Sequence, residues 1–446
     1  RLSRTPLLRE VVAARGAAML TNALRHQRSD SYQTLLKADG LSVANAEGEC
    51  RMAERMDMPY DIPENGHLTL IFKPTYACNL ACPYCYNEGW RDSVNDRMDI
   101  GEAKQAFTWV CDFCRMRGTK GIKVIWHGGE PLLMGASFFR EVIAFYQDIF
   151  TNAGIDVKNV IQTNATLLNE EFISIFHEYF GSSIGFSFDY QSGCRIFPDG
   201  RDASNMILEK ILWTKSKGID AGAIMVCNKR NVGKMDELFS FMAERDIPFK
   251  FSRPFLPYKP SDRASACIQD VTDAEYVECV CRLIEIALQQ KVPRLARLCT
   301  TAQDYIAAFL LNKISACAQM GTCSMSHLSI GPRGDIYPCG RFTDNAFRAG
   351  NYLTDSGEKV MKNLVELSRK YEGADDNCQK CKFIRLCKGG CTLLRVIGCH
   401  EAECWVNQSI WEYISSRMSE LGLARGSLAG CIKEDVAEMV HRAMAR

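Results

Sequence analysis

Residues 67–85, HLTLIFKPTYACNLACPYC, decide how this chain is read. His67–Thr75 is rich in β-branched and aromatic residues and reads as a strand. Three thiols follow directly, Cys78, Cys82 and Cys85. Asn79 and Pro83 among them mark a turn rather than a packed face. Iron–sulfur clusters take cysteine thiolates, normally four to a four-iron cube. Three close cysteines with no fourth nearby leave one iron open to another ligand. A zinc ion with three protein ligands and a water is the other metal reading.

Outward from this stretch the chain alternates. Further strands are expected at Ile122–His127, Val157–Thr163, Ile184–Phe188, Ala221–Val226 and Phe249–Phe255. Helices are expected at Asp99–Gly118, Ala136–Asn152, Asn169–Phe180, Ala203–Lys217 and Val232–Arg245. Asp99 and Glu102 supply an acidic start to the first helix, and Gly118 a stop. This repetition predicts an α/β fold with a parallel sheet or partial barrel. Functional loops then lie at the C-terminal ends of the strands. Beyond residue 260 a long helix, Asp273–Gln290, precedes a cysteine-dense, turn-rich stretch from Cys317 to Cys404. Amphipathic helices are expected at Asn407–Leu421 and Cys431–Ala445. The expected units are a helical lead-in at 1–65, a core at 66–260 and a linker helix at 261–310. A cysteine-rich domain at 311–406 and C-terminal helices at 407–446 complete them.

A length of 446 residues suggests two or three domains. With 47% hydrophobic and 24% charged residues, a largely disordered chain is excluded. The formal net charge of +1 provides no field to gather nucleic acid, and no polybasic block suggests a membrane surface. No apolar run reaches the ~18 residues of a spanning helix. The first residues lack the order of a signal peptide, so a cytoplasmic protein is expected. In such a reducing compartment the 22 cysteines point to metal rather than disulfides.

A second cysteine field runs Cys317-x5-Cys323, Gly334-x4-Cys339, then Cys378-x2-Cys381-x5-Cys387-x3-Cys391, and Cys404. Eight thiolates suffice for two fully ligated four-iron clusters. A pair of zinc ribbons is the alternative, although the x5 and x3 spacings fit zinc poorly. Cys111 with Cys114, and Cys279 with Cys281, read as small buried hydrophobes.

The Cys-x3-Cys-x2-Cys loop, with Tyr84 before its last cysteine, resembles that of the radical S-adenosylmethionine (radical SAM) enzymes. In that family the open iron binds SAM, and reductive cleavage yields a 5′-deoxyadenosyl radical. His127-Gly128-Gly129-Glu130-Pro131 resembles the segment that lies against the SAM amino group. Gln162–Leu168, QTNATLL, is similar to the QTNGTLL of sulfatase-maturase relatives, with Ala165 in place of Gly. Gly185-Phe-Ser187-Phe-Asp189 is similar to the family's G-x-S-x-D, in which Ser contacts SAM, and Tyr190 stands where Gly is expected. Arg195 fits the downstream Arg that pairs with the SAM carboxylate; Arg201 is the alternative. The resemblance thus implies a SAM site of Tyr84, His127, Gly128, Gly129, Glu130, Asn164, Ser187 and Arg195.

The second field resembles the SPASM extension of peptide-modifying radical SAM enzymes. By that resemblance Cys317, Cys323, Cys339 and Cys391 hold one auxiliary cluster. Cys378, Cys381, Cys387 and Cys404 hold the other, with Cys399 the alternative last ligand. The likeness implies three [4Fe-4S] clusters, SAM and a partial (β/α)6 TIM-like barrel. It also implies an electron donor such as flavodoxin or ferredoxin, and a peptide or protein substrate with or without a leader. The expected reaction is oxidative modification of a ribosomally made peptide, through a C–S, C–C or C–O crosslink. Formylglycine installation on a sulfatase, decarboxylating or small-molecule chemistry, and a non-catalytic electron carrier are the alternatives. Asp189, Tyr190 and Cys194 are the candidates for a catalytic group.

Overall fold

The computed structural model describes residues 66–87, 96–181, 183–191, 193–255, 271–290, 292–312, 323, 325–341, 344–371, 376–396, 400–429, 431, 436 and 440. The lead-in at 1–65, Cys317, Cys399 and most of Cys431–Ala445 lie outside them. Among the described residues no helix is long and apolar enough to cross a membrane.

Six strands carry the core: β1 His67–Phe72, β2 Gly121–Trp126, β3 Asp156–Thr163, β4 Ser183–Ser187, β5 Asp220–Val226 and β6 Phe249–Ser252. They lie in sequence order and each runs parallel to the next. Helices α1 Ile100–Arg117, α2 Ala136–Asn152, α3 Glu170–Tyr179, α4 Ser204–Ser216 and α5 Met235–Glu244 make the crossovers. The expected α/β partial-barrel fold is present. Local chemistry sets the helix ends. Asp99 and Glu102 form a reciprocal capping box on α1, and Gly118 ends it at φ 66°.

The core lies between the sheet and its helices. Leu68, Leu70 and Phe72 alternate along β1 and are essentially fully buried. Phe72 meets Phe107 of α1 at 4.7 Å between ring centroids, and Trp126 of β2 stacks on Phe139 of α2 at 4.5 Å. Burying such large rings at ~25 cal/mol per Å² holds the strands in register and fixes where their loops emerge.

The sheet continues past β1, where the sequence reading expected only turns. β7, His327–Ile330, pairs parallel to β1 on the edge opposite β2. β8, Asp335–Tyr337, and β9, Gly350–Asn351, follow antiparallel. At the other edge, the segment expected as one linker helix holds α6 Asp273–Gln289 and α7 Thr300–Leu311. Phe249 N donates to Leu298 O at 2.8 Å, and the Thr301 hydroxyl bonds both Phe251 N and O. After α8, Gly357–Tyr371, the long helix α9 spans His400–Glu420. It begins at His400 rather than Asn407, so Cys404 lies inside it. Glu401 and Glu403 in its first turn suit the positive end of the helix dipole.

Candidate active site

Cys78, Cys82 and Cys85 stand half-buried in the loop beyond the C-terminal end of β1. The loop is held by its own backbone. Leu80 N donates to the Cys78 sulfur at 3.4 Å, Cys85 N to Cys82 O at 3.2 Å, and Ala81 N to Ile196 O at 2.7 Å. Burial pushes the Cys78 thiol up to about 12, with the Glu130 carboxylate adding to it, and burial also raises Cys82. Thiolates in this loop therefore need positive charge beside them; Arg195 supplies some to Cys82, and a metal held by the three sulfurs would supply more.

The segment ending β2 clamps that loop. Gly129 N donates to Thr75 O at 3.0 Å and Glu130 N to Ala77 O at 2.8 Å. A Cβ on Gly129 would lie 2.0 Å from Ala77 O, and one on Gly128, at φ 124°, 2.2 Å from Thr75 O. These glycines let two backbones touch. Glu130, in the segment expected against the SAM amino group, is 1% exposed. Its carboxylate accepts from Thr163 Oγ1 at 2.7 Å, Asn164 N at 2.7 Å and Leu132 N at 3.0 Å. Burial holds it up at about 7 against those bonds. It is a strut between the ends of β2 and β3. His127 Nδ1 accepts from Gly128 N at 2.8 Å. Burial and then Lys73 bring its pKa down to about 4, so the ring is neutral.

The turn after β3 also reaches the cysteine loop. Asn164 Nδ2 donates to Asn79 Oδ1 at 2.9 Å and lies 3.8 Å from the Cys78 sulfur. Asn79 in turn donates to the Thr166 hydroxyl at 2.7 Å. Ala165 takes φ 67°, a left-handed conformation that costs a non-glycine residue about 1–2 kcal/mol. On β4, the Ser187 hydroxyl accepts from Gln162 Nε2 at 2.9 Å.

Asp189, Arg195 and Tyr84 form a buried group beside the loop. Arg195 Nε lies 3.1 Å from Asp189 Oδ2, an ion pair whose angle does not make a hydrogen bond. Tyr84 donates its hydroxyl to the same oxygen, and Val226 N donates to Asp189 Oδ1 at 2.8 Å. The Tyr84 ring lies 5.6 Å from the guanidinium. Burial alone would lower Arg195, but Asp189, Tyr84, Cys82 and Cys85 outweigh it and raise its pKa. The alternative Arg201 points to solvent and pairs with Asp199 at 2.7 Å. Tyr190 packs on Phe241 of α5 with centroids 5.2 Å apart, and Cys194 is buried.

Parts of the second cysteine field come together among the described residues. Cys339 and Cys391 pack against one small cluster built on Tyr337 and Phe347. Cys323 lies just before β7 and is buried. Cys378, Cys381, Cys387 and Cys404 converge separately. Gln408 Nε2 lies 3.3 Å from the Cys404 sulfur and 3.7 Å from that of Cys381. Burial pushes Cys387 up to about 12, and Glu403, Cys404 and Cys378 add to it. Trp405 Nε1 and Thr392 Oγ1, next in sequence to Cys404 and Cys391, are buried without a hydrogen-bond partner. Cluster sulfides are acceptors such donors fit. Zinc needs its donors about 2.3 Å from one point. Among the described residues no three His, Cys, Asp or Glu side chains stand close enough to hold a single metal ion. A four-iron cube spreads its ligands over separate irons.

Three groups escaped the sequence reading. Lys73, the first residue beyond β1, is fully buried, and a charge directly after an apolar strand is its signal in the sequence. Gln408 is visible only once Cys404 is on a helix. Arg253, just past β6, pairs with Glu403 at 2.6 Å and with Asp273, tying the core to the helix that carries Cys404.

Residues 72–242 match the Radical SAM superfamily. The chain is 24% identical to a cysteine-type anaerobic sulfatase-maturating enzyme of Clostridium novyi, over 73% of this chain and 87% of that one. It is 24% identical to a serine-type anaerobic sulfatase-maturating enzyme of Klebsiella aerogenes, over 72% and 79%. The fold is similar to that of native anSMEcpe with bound AdoMet and Kp18Cys peptide. There the TM-score is 0.68 at 21% identity, covering 80% of this chain and 99% of that one. The three-cysteine loop lies in the segment that matches that superfamily, so residues 72–242 read as a radical SAM domain. Both relatives are anaerobic sulfatase-maturating enzymes, and this chain is similar to each over more than two thirds of its length.

Proposed function

We propose that this enzyme oxidises a residue of a peptide or protein chain, with SAM held at a four-iron cluster on Cys78, Cys82 and Cys85. The observation that carries the reading is the three-cysteine loop, clamped by Gly129 and Glu130 at the C-terminal end of the strands. SAM bound there would supply, on reduction, the radical chemistry that removes a hydrogen atom from the substrate. The chain's own residues hold and shield that site. Leu80 N and Asn164 turn N–H groups toward the Cys78 sulfur, and Glu130 acts through the turn it anchors. Arg195, facing Asp189 through Nε, is assigned to the SAM carboxylate through its terminal nitrogens. Ser187, steadied by Gln162, is assigned to the ribose side.

Cys323, Cys339 and Cys391 with Cys317 are assigned to one auxiliary cluster. Cys378, Cys381, Cys387 and Cys404 are assigned to the other, three clusters in all. Complete cysteine ligation suits the auxiliary pair to carry electrons rather than bind substrate. A flavodoxin or ferredoxin is the donor that fits the first cluster. The finer reading is a crosslink within a ribosomally made peptide. Formylglycine formation is the second reading, favoured by the likeness to both cysteine- and serine-type sulfatase maturases.

The test is a mass spectrum. Reconstituted protein, SAM and reductant are incubated with sulfatase peptides bearing Cys or Ser, and separately with any short peptide encoded beside this protein. A crosslink lowers the peptide mass by one hydrogen molecule and leaves no aldehyde. Formylglycine leaves an aldehyde that a hydrazide traps. No SAM-dependent change in either peptide contradicts the proposal.

A further inference from the structure

Lys73 is the first residue beyond β1, and its side chain is 0% exposed. Its Nζ donates to the Gly340 carbonyl at 2.5 Å and to Asn87 Oδ1 at 3.2 Å. The rings of Tyr76 and Tyr86 flank it, with centroids 5.8 and 5.5 Å away. Among the described residues these partners are all neutral. A buried ammonium is costly unless negative charge stands near it. Burial pulls Lys73 down to about 8, against the thiolates of Cys339 and Cys85, which act to keep it charged.

The contacts join three segments. Gly340 follows Cys339, and a Cβ there would lie 2.9 Å from Ile71 of β1. Asn87 closes the Cys78–Cys85 loop and donates through Nδ2 to Gly128 O at 2.8 Å. Lys73 therefore sits where the SAM-cluster loop, the Gly128 turn and the first auxiliary-cluster loop meet. Sequence separations of 14 and 267 residues to its two bonding partners explain why no local motif announces it.

We propose that Lys73 is a positioning residue whose buried positive charge serves two iron–sulfur sites at once, those of Cys85 and Cys339, and holds their reduction potentials up. The inference rests on the cluster assignment above. A thiolate-bound cluster gains one negative charge on reduction, and a cation in a low-dielectric site favours that form. The hydrogen bond to Gly340 places the charge nearer the auxiliary site, where the larger effect is expected.

The test is a redox titration of the holoenzyme followed by electron paramagnetic resonance, in wild type, Lys73→Gln and Lys73→Arg. Gln keeps a donor for the Gly340 carbonyl and removes the charge. At a fixed solution potential, the reduced-to-oxidised ratio of the Cys339 cluster is expected to fall about tenfold in Lys73→Gln, equivalent to ~59 mV for one electron. A smaller fall is expected at the Cys85 cluster, and Lys73→Arg should retain the wild-type potentials. Added SAM perturbs only the open cluster and so separates the two signals. A role in packing alone would change yield or thermal midpoint and leave the potentials in place. Wild-type protein without cluster signals overturns the assignment beneath. Clusters present with unchanged potentials in Lys73→Gln overturn the role of Lys73 alone. Should Lys73→Gln give no folded holoenzyme, Asn87→Asp sets a carboxylate against the same ammonium. It is expected to lower the same potentials, and unchanged values there also overturn the proposal.

Discussion

The guanidinium of Arg195 and the carboxylate of Asp189 face each other in the interior, Nε to Oδ2 3.1 Å, with side chains 9% and 0% exposed. Asp189 was a candidate for proton transfer, yet its two oxygens are taken up by Arg195, Tyr84 and the backbone of Val226. It pairs with Arg195, whose charge Cys82 and Cys85 also favour. Removing one member of a buried pair leaves the other charge uncompensated, at about 3–5 kcal/mol. Asp189→Ala is therefore expected to lower anaerobic chemical-denaturation stability by that order. A loss below ~1 kcal/mol would show that water reaches the pair.

Gly129 tests the clamp on the cysteine loop. The Cβ of Gly129→Ala would fall 2.0 Å from Ala77 O and 2.4 Å from Tyr76 O, both backbone atoms that cannot swing aside. Overpacking of this kind costs typically about 1–3 kcal/mol. The shift it forces moves the entry to Cys78. Iron content after reconstitution is expected to drop in Gly129→Ala, while the far-ultraviolet circular dichroism stays unchanged. Full iron loading would contradict the clamp.

Cys404 and Cys399 make a paired test of the last auxiliary ligand. Gln408, one turn beyond Cys404 on α9, brings its amide to the sulfurs of both Cys404 and Cys381. Cys404→Ala is expected to lose about a third of the bound iron, one cluster of three. Cys399→Ala should keep all of it. The reverse pattern would move the ligand to Cys399.

How far the sequence reached follows from the range of each interaction. The Cys78, Cys82 and Cys85 spacing and the Asp99 and Gly118 caps are set within a few residues, and the sequence shows them directly. The parallel pairing of β7 with β1 was hidden, because His327–Ile330 finds its partner across more than half the chain. The hydrogen-bond partners of Glu130 were hidden as well, since Thr163 and Asn164 come from the end of the next strand. Ala165 looked like a mild departure from Gly, and only the backbone shows its positive φ.

Glu285 of α6 and Arg417 of α9 carry a pH dependence. Arg417 donates to the carboxylate through Nε at 2.8 Å and Nη2 at 3.0 Å, and the Tyr413 hydroxyl donates at 3.1 Å. Burial would raise the Glu285 carboxyl, but Arg417 outweighs it and holds the pKa below the usual carboxylate value. A depressed carboxylate gives stability that is present above its unfolded pKa and lost as pH falls through the folded one. Glu285→Gln is expected to lose about 1.5–3 kcal/mol at pH 7. The gap to wild type should close as pH drops below the carboxylate range. A gap that persists in acid would assign the loss to packing rather than charge.

The most direct measurement of the central claim is 5′-deoxyadenosine formed from SAM by the reconstituted protein under anaerobic reduction, in wild type and in Cys78→Ala. The account predicts SAM cleavage by wild type and none by Cys78→Ala, with the auxiliary clusters still present in the variant. Equal cleavage by both proteins, or none by a fully loaded wild type, would contradict it.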